Sequence, residues 1–430
     1  MKSGTPRSSS PAERSESPNE EKHQPPERNT ALDMARGLAV LGMIYVHLVP
    51  TEGTTTLAQK ACAGVARFLE DKTAVLFCVL VGMAQALQLR QARGEAPSAR
   101  SVARRSLTLA AAGFALHWLV WPTEILVPLA LMMVATGMIL RIRMGRNAPA
   151  FAAGLLLVFS PIAVAIFAPT SGADWTDADR HVGESAWGWA TARFVFLNGN
   201  YPLLPWTAFP LCGAAMIARD WNRGGGARSW FFGGLAATVA LQLTTLWTAR
   251  HVRMLGALSP YLASRWTPTT LPFVFLTGAT AVTLIAGLSW WEEISASGLP
   301  RLAKPLALFG RASLTHYLLH ICLVIAPLRI RFPAEDWPLA IGLSAAVIYV
   351  AVAGSMTVLW FRRYPRGPFE MLWAIASARD ANPSAPGRTA RGMPNGANAA
   401  SGNPHASGPG ISPLAQPPIG TARADLRSEE

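Results

Sequence analysis

Long apolar stretches dominate this chain, and they constrain its fold more than any other feature. Of its 430 residues, 51% are hydrophobic and only 15% are charged. The apolar residues gather in about ten blocks, each long enough to cross a hydrocarbon layer of about 30 Å. These blocks cover roughly 32–50, 73–89, 103–121, 123–141, 149–168, 202–218, 230–249, 268–289, 305–327 and 339–360. The sequence therefore predicts an all-α polytopic membrane bundle of about ten transmembrane helices, whose partner is the lipid bilayer.

The two ends of the chain differ in composition from the part between them. Residues 1–30 are rich in Ser, Pro and Glu, and residues 377–430 are rich in Ala, Gly, Pro and Ser. Segments of such composition cannot bury a hydrophobic core. We therefore predict a disordered N-terminal tail at 1–30, a membrane domain at 31–376 and a disordered C-terminal tail at 377–430. Because the first thirty residues lack an apolar stretch, no cleavable signal peptide is predicted.

Arginine and lysine in the short connections predict the orientation of the bundle. They concentrate in alternate connections, near 90–105, 141–146, 219–228, 301–311 and 362–366. Cytoplasmic loops carry such an excess, so we predict a multi-pass protein of the cytoplasmic membrane with both termini in the cytoplasm. Much of the net charge of +13 is explained by these arginines, so no nucleic-acid partner is predicted.

The first apolar block contains three ionisable side chains, Asp33, Arg36 and His47. A charge at the centre of a membrane helix costs roughly 2.5 to 3.5 kcal/mol, so such residues usually face the protein interior and serve a function. Eleven positions separate Arg36 from His47, which places both on nearly the same helix face about 16 Å apart along the axis. One helix thus presents a cation near one membrane surface and an imidazole near the other.

Further polar residues lie in later blocks. His316 and His320 are one turn apart, and Ser313 precedes them on the same helix face. Arg311 is expected at the cytoplasmic end of that helix, level with Arg36. In the predicted topology, two more residues come close to His47 at the outer surface, His117 and Glu124.

This arrangement has a chemical interpretation. Cations at the inner surface could hold a phosphate-bearing donor, and a hydroxyl or amine acceptor could enter from the outer surface. Histidine, with an ordinary pKa of about 6.5, can take a proton from an attacking acceptor and return it to a leaving group. We find no zinc signature, so no metal is predicted.

Each of these residues also has a purely structural interpretation, and the sequence alone leaves it open. Polar groups in spans can join helices by hydrogen bonds, and polar groups near the headgroups cost little. The structural alternatives are an ion pair between Asp33 and Arg36, an interfacial position for His47, interhelical hydrogen bonds for Ser313, His316 and Tyr317, and a headgroup position for His117 and Glu124. The joint occurrence of these residues favours a functional site.

Four collinear motifs resemble the YeiB-like membrane proteins, which contain the domain of unknown function 418. The motifs read LDMARGLAVLGM at 32–43, FLEDKTAVLFCVLVGMAQALQ at 68–88, GRASLTHYLL at 310–319 and RGPFEMLW at 366–373. The resemblance runs from about 31 to 375. Many YeiB-like proteins have asparagine at the position of His47.

That family is similar to the transmembrane acyltransferase superfamily, which includes heparan-α-glucosaminide N-acetyltransferase and the acyltransferase-3 enzymes. Their first helix carries an arginine and a histidine at the spacing of Arg36 and His47, and the segment Tyr201 to Trp206 resembles the Pro-Trp segment of the glucosaminide acetyltransferase relatives. The resemblance implies an acyl-CoA donor such as acetyl-CoA.

The leading hypothesis is therefore an acyltransferase that moves an acetyl or short acyl group to a hydroxyl or amine of a glycan, lipid-linked or small secreted acceptor. The predicted catalytic residues are His47, Asp33 and Arg36. The predicted substrate-binding residues are Arg311, Ser313, His316, Tyr317, His320, His117 and Glu124. The alternatives are a transporter or exporter with an intramembrane polar path and a non-catalytic membrane protein. The acceptor, the acyl chain and the oligomeric state stay open.

Overall fold

The structure is a computed structural model, and it describes residues 29–91, 99–120, 124–142, 145–167, 192–251, 254, 262–264, 269–295, 303–333 and 336–377. These residues fall within one compact unit that ends at Ala381. The predicted C-terminal tail lies almost wholly outside the described residues, as do 1–28 of the predicted N-terminal tail and 121–123 of the predicted outer turn.

All regular structure in the described part of the chain is helical. The helices are α1 (Thr30–Leu48), α2 (Leu57–Gln91), α3 (Ala99–Leu119), α4 (Leu126–Arg141), α5 (Ala148–Phe167), α6 (Leu203–Trp206), α7 (Ala208–Ala218), α8 (Gly226–Arg250), α9 (Leu271–Ile294), α10 (Ala303–Arg311), α11 (Ser313–His320), α12 (Ala326–Arg331), α13 (Leu339–Trp360) and α14 (Pro368–Ser377). Two π-helical segments accompany them, Phe194–Asn198 before α6 and Ile321–Ile325 between α11 and α12.

Six helical stretches are long and apolar enough to cross a membrane: Thr30–Leu48, Leu57–Arg90, Gly226–Arg250, Leu271–Ile294, Ser313–Arg331 and Leu339–Trp360. Three shorter apolar stretches are Leu126–Arg141, Ala148–Val164 and Leu203–Ala218. Helix α3 belongs to neither group, and its first half carries three arginines. The all-helical, multi-pass fold is confirmed, whereas the total of ten spans stays a prediction.

Helices α8 and α13 expose apolar side chains, as expected of membrane-spanning helices. In the most apolar 18-residue stretch of α8, only 6% of the residues are buried within the protein. Large side chains on this helix and on α13 are exposed, among them Phe232, Val239, Leu243, Val347 and Val352. Many large apolar side chains exposed along one helix indicate contact with lipid or another protein rather than with water.

Glycines allow α1 and α10 to cross in close contact. A Cβ on Gly310 would lie 1.8 Å from the backbone oxygen of Asp33, and a Cβ on Gly37 would lie 2.4 Å from the backbone oxygen of Leu306. Small residues permit such close backbone approach between membrane helices. The crossing brings the start of α1 and the end of α10 together, and with them Arg36 and Arg311.

Glycines also allow α2 and α7 to cross in close contact. A Cβ on Gly82 would lie 1.7 Å from the oxygen of Pro210, and one on Gly213 would lie 2.0 Å from the oxygen of Val79. Beside this contact lies the fully buried Trp206, whose indole Nε1 donates to Thr269 Oγ1 at 3.1 Å. The Pro-Trp segment is therefore part of the core.

Candidate active site

A cavity of about 600 Å³, which we call the main cavity, is lined by α1 to α4, α10, α11 and α14. Five arginines line it where α1 and α3 begin and where α4 and α10 end: Arg36, Arg105, Arg141, Arg311 and Arg366. We call this the arginine end of the bundle. Towards the opposite end, which we call the histidine end, the lining becomes apolar and includes Met43, Leu109 and Leu126. A polyanionic group would thus bind at one end and an uncharged group further in.

Arg36 is oriented by Asp33, as one of the structural interpretations predicted. Its Nη1 donates to Asp33 Oδ1 at 2.7 Å, and the Asp33 side chain is only 5% exposed against 24% for Arg36. Asp33 and His47 are fourteen residues apart on one helix, or about 21 Å. The structure therefore brings Asp33 to Arg36 and not to His47.

Arg311 contacts residues 361–373, which we call the C-terminal segment. Its Nη2 donates to the backbone oxygen of Pro365 at 2.7 Å, and its Cζ lies 4.4 Å from the centre of the Phe361 ring. Arg105 contacts the same segment, since its Cζ lies 5.8 Å from the Trp373 ring and its backbone oxygen accepts from Trp373 Nε1 at 3.0 Å. The C-terminal segment thus forms one wall of the arginine end.

Glu370 connects α14 to the start of α11. Its Oε1 accepts from the backbone N–H groups of Leu314 at 2.7 Å and Thr315 at 3.1 Å. Helix α11 has no side-chain cap of its own, so Glu370 supplies the cap from another helix. Burial raises the pKa of the Glu370 carboxyl, and the hydrogen bonds from Thr315 and Leu314 oppose that shift.

The contact between Glu370 and the start of α11 brings together the two family motifs at 310–319 and 366–373. Ser313 lies at this capped terminus and lines the cavity.

The two histidines at the far end form a pair. His47 Nδ1 lies 3.0 Å from His320 Nε2, and the rings are nearly parallel, with centroids 5.3 Å apart. His320 is fully buried, whereas His47 is partly exposed. Next to the pair are two cavity-lining residues, Met43 one turn before His47 and Tyr317 with its ring centroid 5.7 Å from that of His320. The cavity thus extends from the arginines towards the histidine pair.

His316 has different surroundings from His320, although the two are one turn apart. Its ring stacks on Phe309 at 3.7 Å, and its Nε2 lies 2.9 Å from Thr357 Oγ1. The Thr357 hydroxyl donates to the oxygen of Ala353, so His316 Nε2–H is the donor in the first contact. His316 lines an apolar groove between α11 and α13, separate from the main cavity. These contacts agree with the structural alternative for His316, and its predicted substrate-binding role stays a prediction.

His117 and Glu124 line a second cavity of about 180 Å³, together with Asn200 and Tyr201. Glu124 is buried and caps α4, accepting from the backbone N–H of Val127 at 3.1 Å and from that of Leu126. Helix α4 separates the two cavities. Its residues 126, 129, 133 and 137 line the large one, and residues 127, 128 and 131 line the small one.

Several lining residues were absent from the sequence-based site. Arg105, Arg141 and Arg366 were explained there by membrane orientation alone, although they line the main cavity. Gln85 donates through Nε2 to the oxygen of Met133 at 2.9 Å, and its Oε1 is buried without a partner in the described part of the chain. Of these residues, only Arg366 could have been assigned to the site from the sequence, because it is the first residue of the motif at 366–373.

Two family models match the chain, one over its N-terminal part and one over its C-terminal part. Residues 28–252 match the model of the heparan-alpha-glucosaminide N-acetyltransferase catalytic domain, and residues 216–379 match a family of unknown function, DUF418. The first match contains α1 with Arg36 and His47, and the second contains the 310–319 and 366–373 motifs. No curated protein sequence matches the chain. The first match covers more than half of the chain, and both predicted resemblances are confirmed. The chain therefore belongs to the membrane acetyltransferase-like family of heparan-alpha-glucosaminide N-acetyltransferase catalytic domains, and its C-terminal part is YeiB-like.

Proposed function

We propose that this protein transfers an acetyl or similar short acyl group from acyl-CoA to a hydroxyl or amine of an acceptor that enters from the other side of the membrane. The observation that carries the proposal is the main cavity, which has five arginines at one end and approaches the His47–His320 pair at the other. A volume of about 600 Å³ lies within the usual range for ligand sites of roughly 300–1,000 Å³.

The arginine end fits the phosphates of the donor. Guanidinium groups bind phosphate through paired, charge-assisted hydrogen bonds. Arg36 and Arg311 hold these phosphates, with Asp33 orienting Arg36 and the Pro365 oxygen orienting Arg311. The side-chain amide of Gln85, a residue of the cavity wall, suits a polar group of the pantetheine arm. Ser313 and Tyr317 lie along the same path.

His47 acts on the acyl group. As general base, it takes the proton of the acceptor while the acceptor oxygen or nitrogen bonds to the thioester carbon, and the C–S bond then breaks. The proton passes to the leaving thiolate, which restores neutral His47. The second possibility is that a ring nitrogen of His47 bonds to the thioester carbon as the C–S bond breaks and the thiolate leaves; the acceptor then bonds to the acyl carbon, the bond to His47 breaks, and the acceptor's proton passes to the thiolate.

The acceptor belongs on the other side of α4. The small cavity offers an imidazole at His117, a carboxyl at Glu124, and polar groups at Asn200 and Tyr201. Such groups suit the hydroxyls and amines of a glycan, a lipid-linked sugar or a small secreted molecule. Between the cavities, the Tyr317 hydroxyl lies 3.5 Å from the backbone nitrogen of Ile125.

The proposed location is the cytoplasmic membrane, with the arginine end in the cytoplasm, where coenzyme A is available. Both α1 and α14 reach the arginine end, which supports cytoplasmic termini for the chain. On this orientation, the two tails share a compartment.

The proposal is tested by incubating the purified protein, reconstituted in liposomes, with radiolabelled acetyl-CoA and a panel of amino sugars, neutral sugars and lipid-linked saccharides. We expect label in one class of acceptor, dependent on His47. The transporter alternative predicts acceptor movement across the liposome without acetylated product. Absence of transfer to every acceptor, together with absence of acetyl-CoA binding, would contradict the proposal.

A further inference from the structure

The hydrogen bonds around His320 determine which of its nitrogens carries a proton. His320 Nδ1 lies 2.9 Å from the backbone oxygen of His316, which can only accept. His320 Nδ1 must therefore be protonated. Among the described residues, the polar groups that contact His320 are His47, the His316 carbonyl, Tyr317 and Tyr349, and none of these four carries a negative charge. A cation at this fully buried position would lack compensation, so His320 is neutral and its Nε2 is an acceptor.

The same reasoning then fixes His47. Its Nδ1 lies 3.0 Å from His320 Nε2, and a hydrogen bond between an acceptor and this nitrogen requires that His47 Nδ1 carry the proton. In neutral His47, the lone pair is consequently on Nε2. Both hydrogen bonds thus point the same way, with His47 donating to His320 and His320 donating to the His316 carbonyl.

From this chain of hydrogen bonds we infer that His320 is a positioning residue, which holds His47 in the tautomer whose Nε2 reacts. The inference rests on the proposed function, and it assigns the reacting nitrogen whether His47 is a base or an acyl carrier. When Nε2 takes a proton, the charged His47 donates a stronger, charge-assisted bond to the neutral His320. This role parallels that of a group that orients a catalytic imidazole without touching the substrate.

The backbone around His320 supports a specialised role. The π-helical segment Ile321–Ile325 follows it directly, and its wider turn interrupts the α-helix between α11 and α12. Single-turn π-helical segments are frequent at functional sites. His316 cannot substitute for His320, because its own nitrogens contact Thr357 and Tyr349 on α13.

The first test measures kinetics in three variants of His320. In His320→Gln, the side-chain oxygen can reach the position of Nε2 and still accept from His47. In His320→Leu and His320→Asn, no acceptor reaches that position. We expect His320→Leu and His320→Asn to lose roughly 100-fold in kcat. Their KM for acetyl-CoA should stay within about twofold, since the donor phosphates bind far away, and His320→Gln should recover most of kcat. Equal loss in all three variants, or no loss in His320→Leu, would overturn the inference.

The second test reads the tautomer directly and does not need activity. Solid-state NMR of the reconstituted protein with ¹⁵N-labelled histidine, with the His47 signals assigned by comparison with His47→Asn, should show a protonated Nδ1 and a bare Nε2. The His320→Leu variant should lose this preference, and His320→Gln should keep it. A protonated Nε2 on neutral His47 in the wild type would overturn the inference. If the wild type transfers no acyl group to any acceptor, the proposed function fails, while this spectrum still decides the tautomer.

Discussion

The Thr315 hydroxyl donates a hydrogen bond of 2.6 Å to Glu370 Oε2 and joins α11 to α14 across 55 positions of sequence. The same Thr315 oxygen accepts from the backbone N–H of Phe369 at 3.1 Å. Because Glu370 also caps α11, one carboxyl holds together the helix that carries His320 and the helix that borders the arginine end.

Glu370→Ala should therefore lower the free energy of unfolding by about 1–3 kcal/mol, since it leaves partly buried N–H donors of Leu314 and Thr315 without this acceptor. Glu370→Gln retains one acceptor oxygen and should lose less. Thermal unfolding in detergent measures both effects. The exposed Glu293 offers a matched control, and Glu293→Ala should unfold like the wild type. An unchanged Glu370→Ala protein would contradict the capping role.

His47→Ala should abolish acyl transfer without impairing expression or membrane insertion, since the change removes a polar group from a span. His47→Asn, which introduces the residue common among YeiB-like proteins, should be equally inactive. Radiolabel transfer to the identified acceptor measures the loss. His251→Ala, at the end of α8, serves as the control and should retain activity. Full turnover by either His47 variant would exclude His47 as base or carrier.

Arg36→Ala should raise the KM for acetyl-CoA about 10- to 100-fold, the effect of one lost charge-assisted hydrogen bond, and change the acceptor KM little. Arg36→Lys should recover only part of the affinity, because lysine cannot bind phosphate with two parallel N–H groups. Steady-state kinetics measure both. Arg90→Ala is the control, because Arg90 pairs with Asp220 outside the main cavity. Wild-type kinetics in a protein with both Asp33 and Arg36 neutralised would eliminate the donor-binding role.

Gln85→Leu should weaken donor binding about fivefold, the effect of one neutral hydrogen bond. The two proposed contacts can be separated with acetyl-pantetheine, a donor without the coenzyme A phosphates. Gln85→Leu should affect acetyl-CoA and acetyl-pantetheine equally, whereas Arg36→Ala should affect only acetyl-CoA. Competition binding with both donors measures this. A selective effect of Gln85→Leu on acetyl-CoA would show that Gln85 is not near the pantetheine arm.

The orientation of the bundle can be tested with single cysteines in a background without the four native ones. Glu52 is exposed beyond the end of α1, at the histidine end. Asn222 is exposed in the turn after α7, beside Asp220, which pairs with Arg90 at the end of α2. An impermeant maleimide added to intact cells should label Glu52→Cys and not Asn222→Cys. The opposite labelling would place the arginine end outside, away from coenzyme A.

The sequence was informative where a property depends on one helix. The spacing of Arg36 and His47 predicted a cation and an imidazole at opposite ends of α1, and the four motifs predicted the family. It also placed Arg311 and Arg36 at one level, and both line the main cavity.

Properties that depend on packing between helices could not be predicted. His316 and His320 share a helix face in the sequence pattern, yet one stacks on Phe309 and the other pairs with His47. Periodicity shows which face a residue occupies but not which helix crosses that face. The π-helical segment after His320 has no sequence signal either. Its residues, Ile321–Ile325, are apolar like those of an ordinary membrane α-helix.

The arginine end has a consequence for turnover. On the proposed function, Arg36 and Arg311 contact the part of the donor that the reaction leaves unchanged, so they would hold free coenzyme A about as tightly as acyl-CoA. Binding that is equal in substrate and product does not accelerate the chemical step. If the proposed function holds, departure of coenzyme A is expected to limit the rate, and the ratio of acylated to free coenzyme A in the cell would set the rate of transfer.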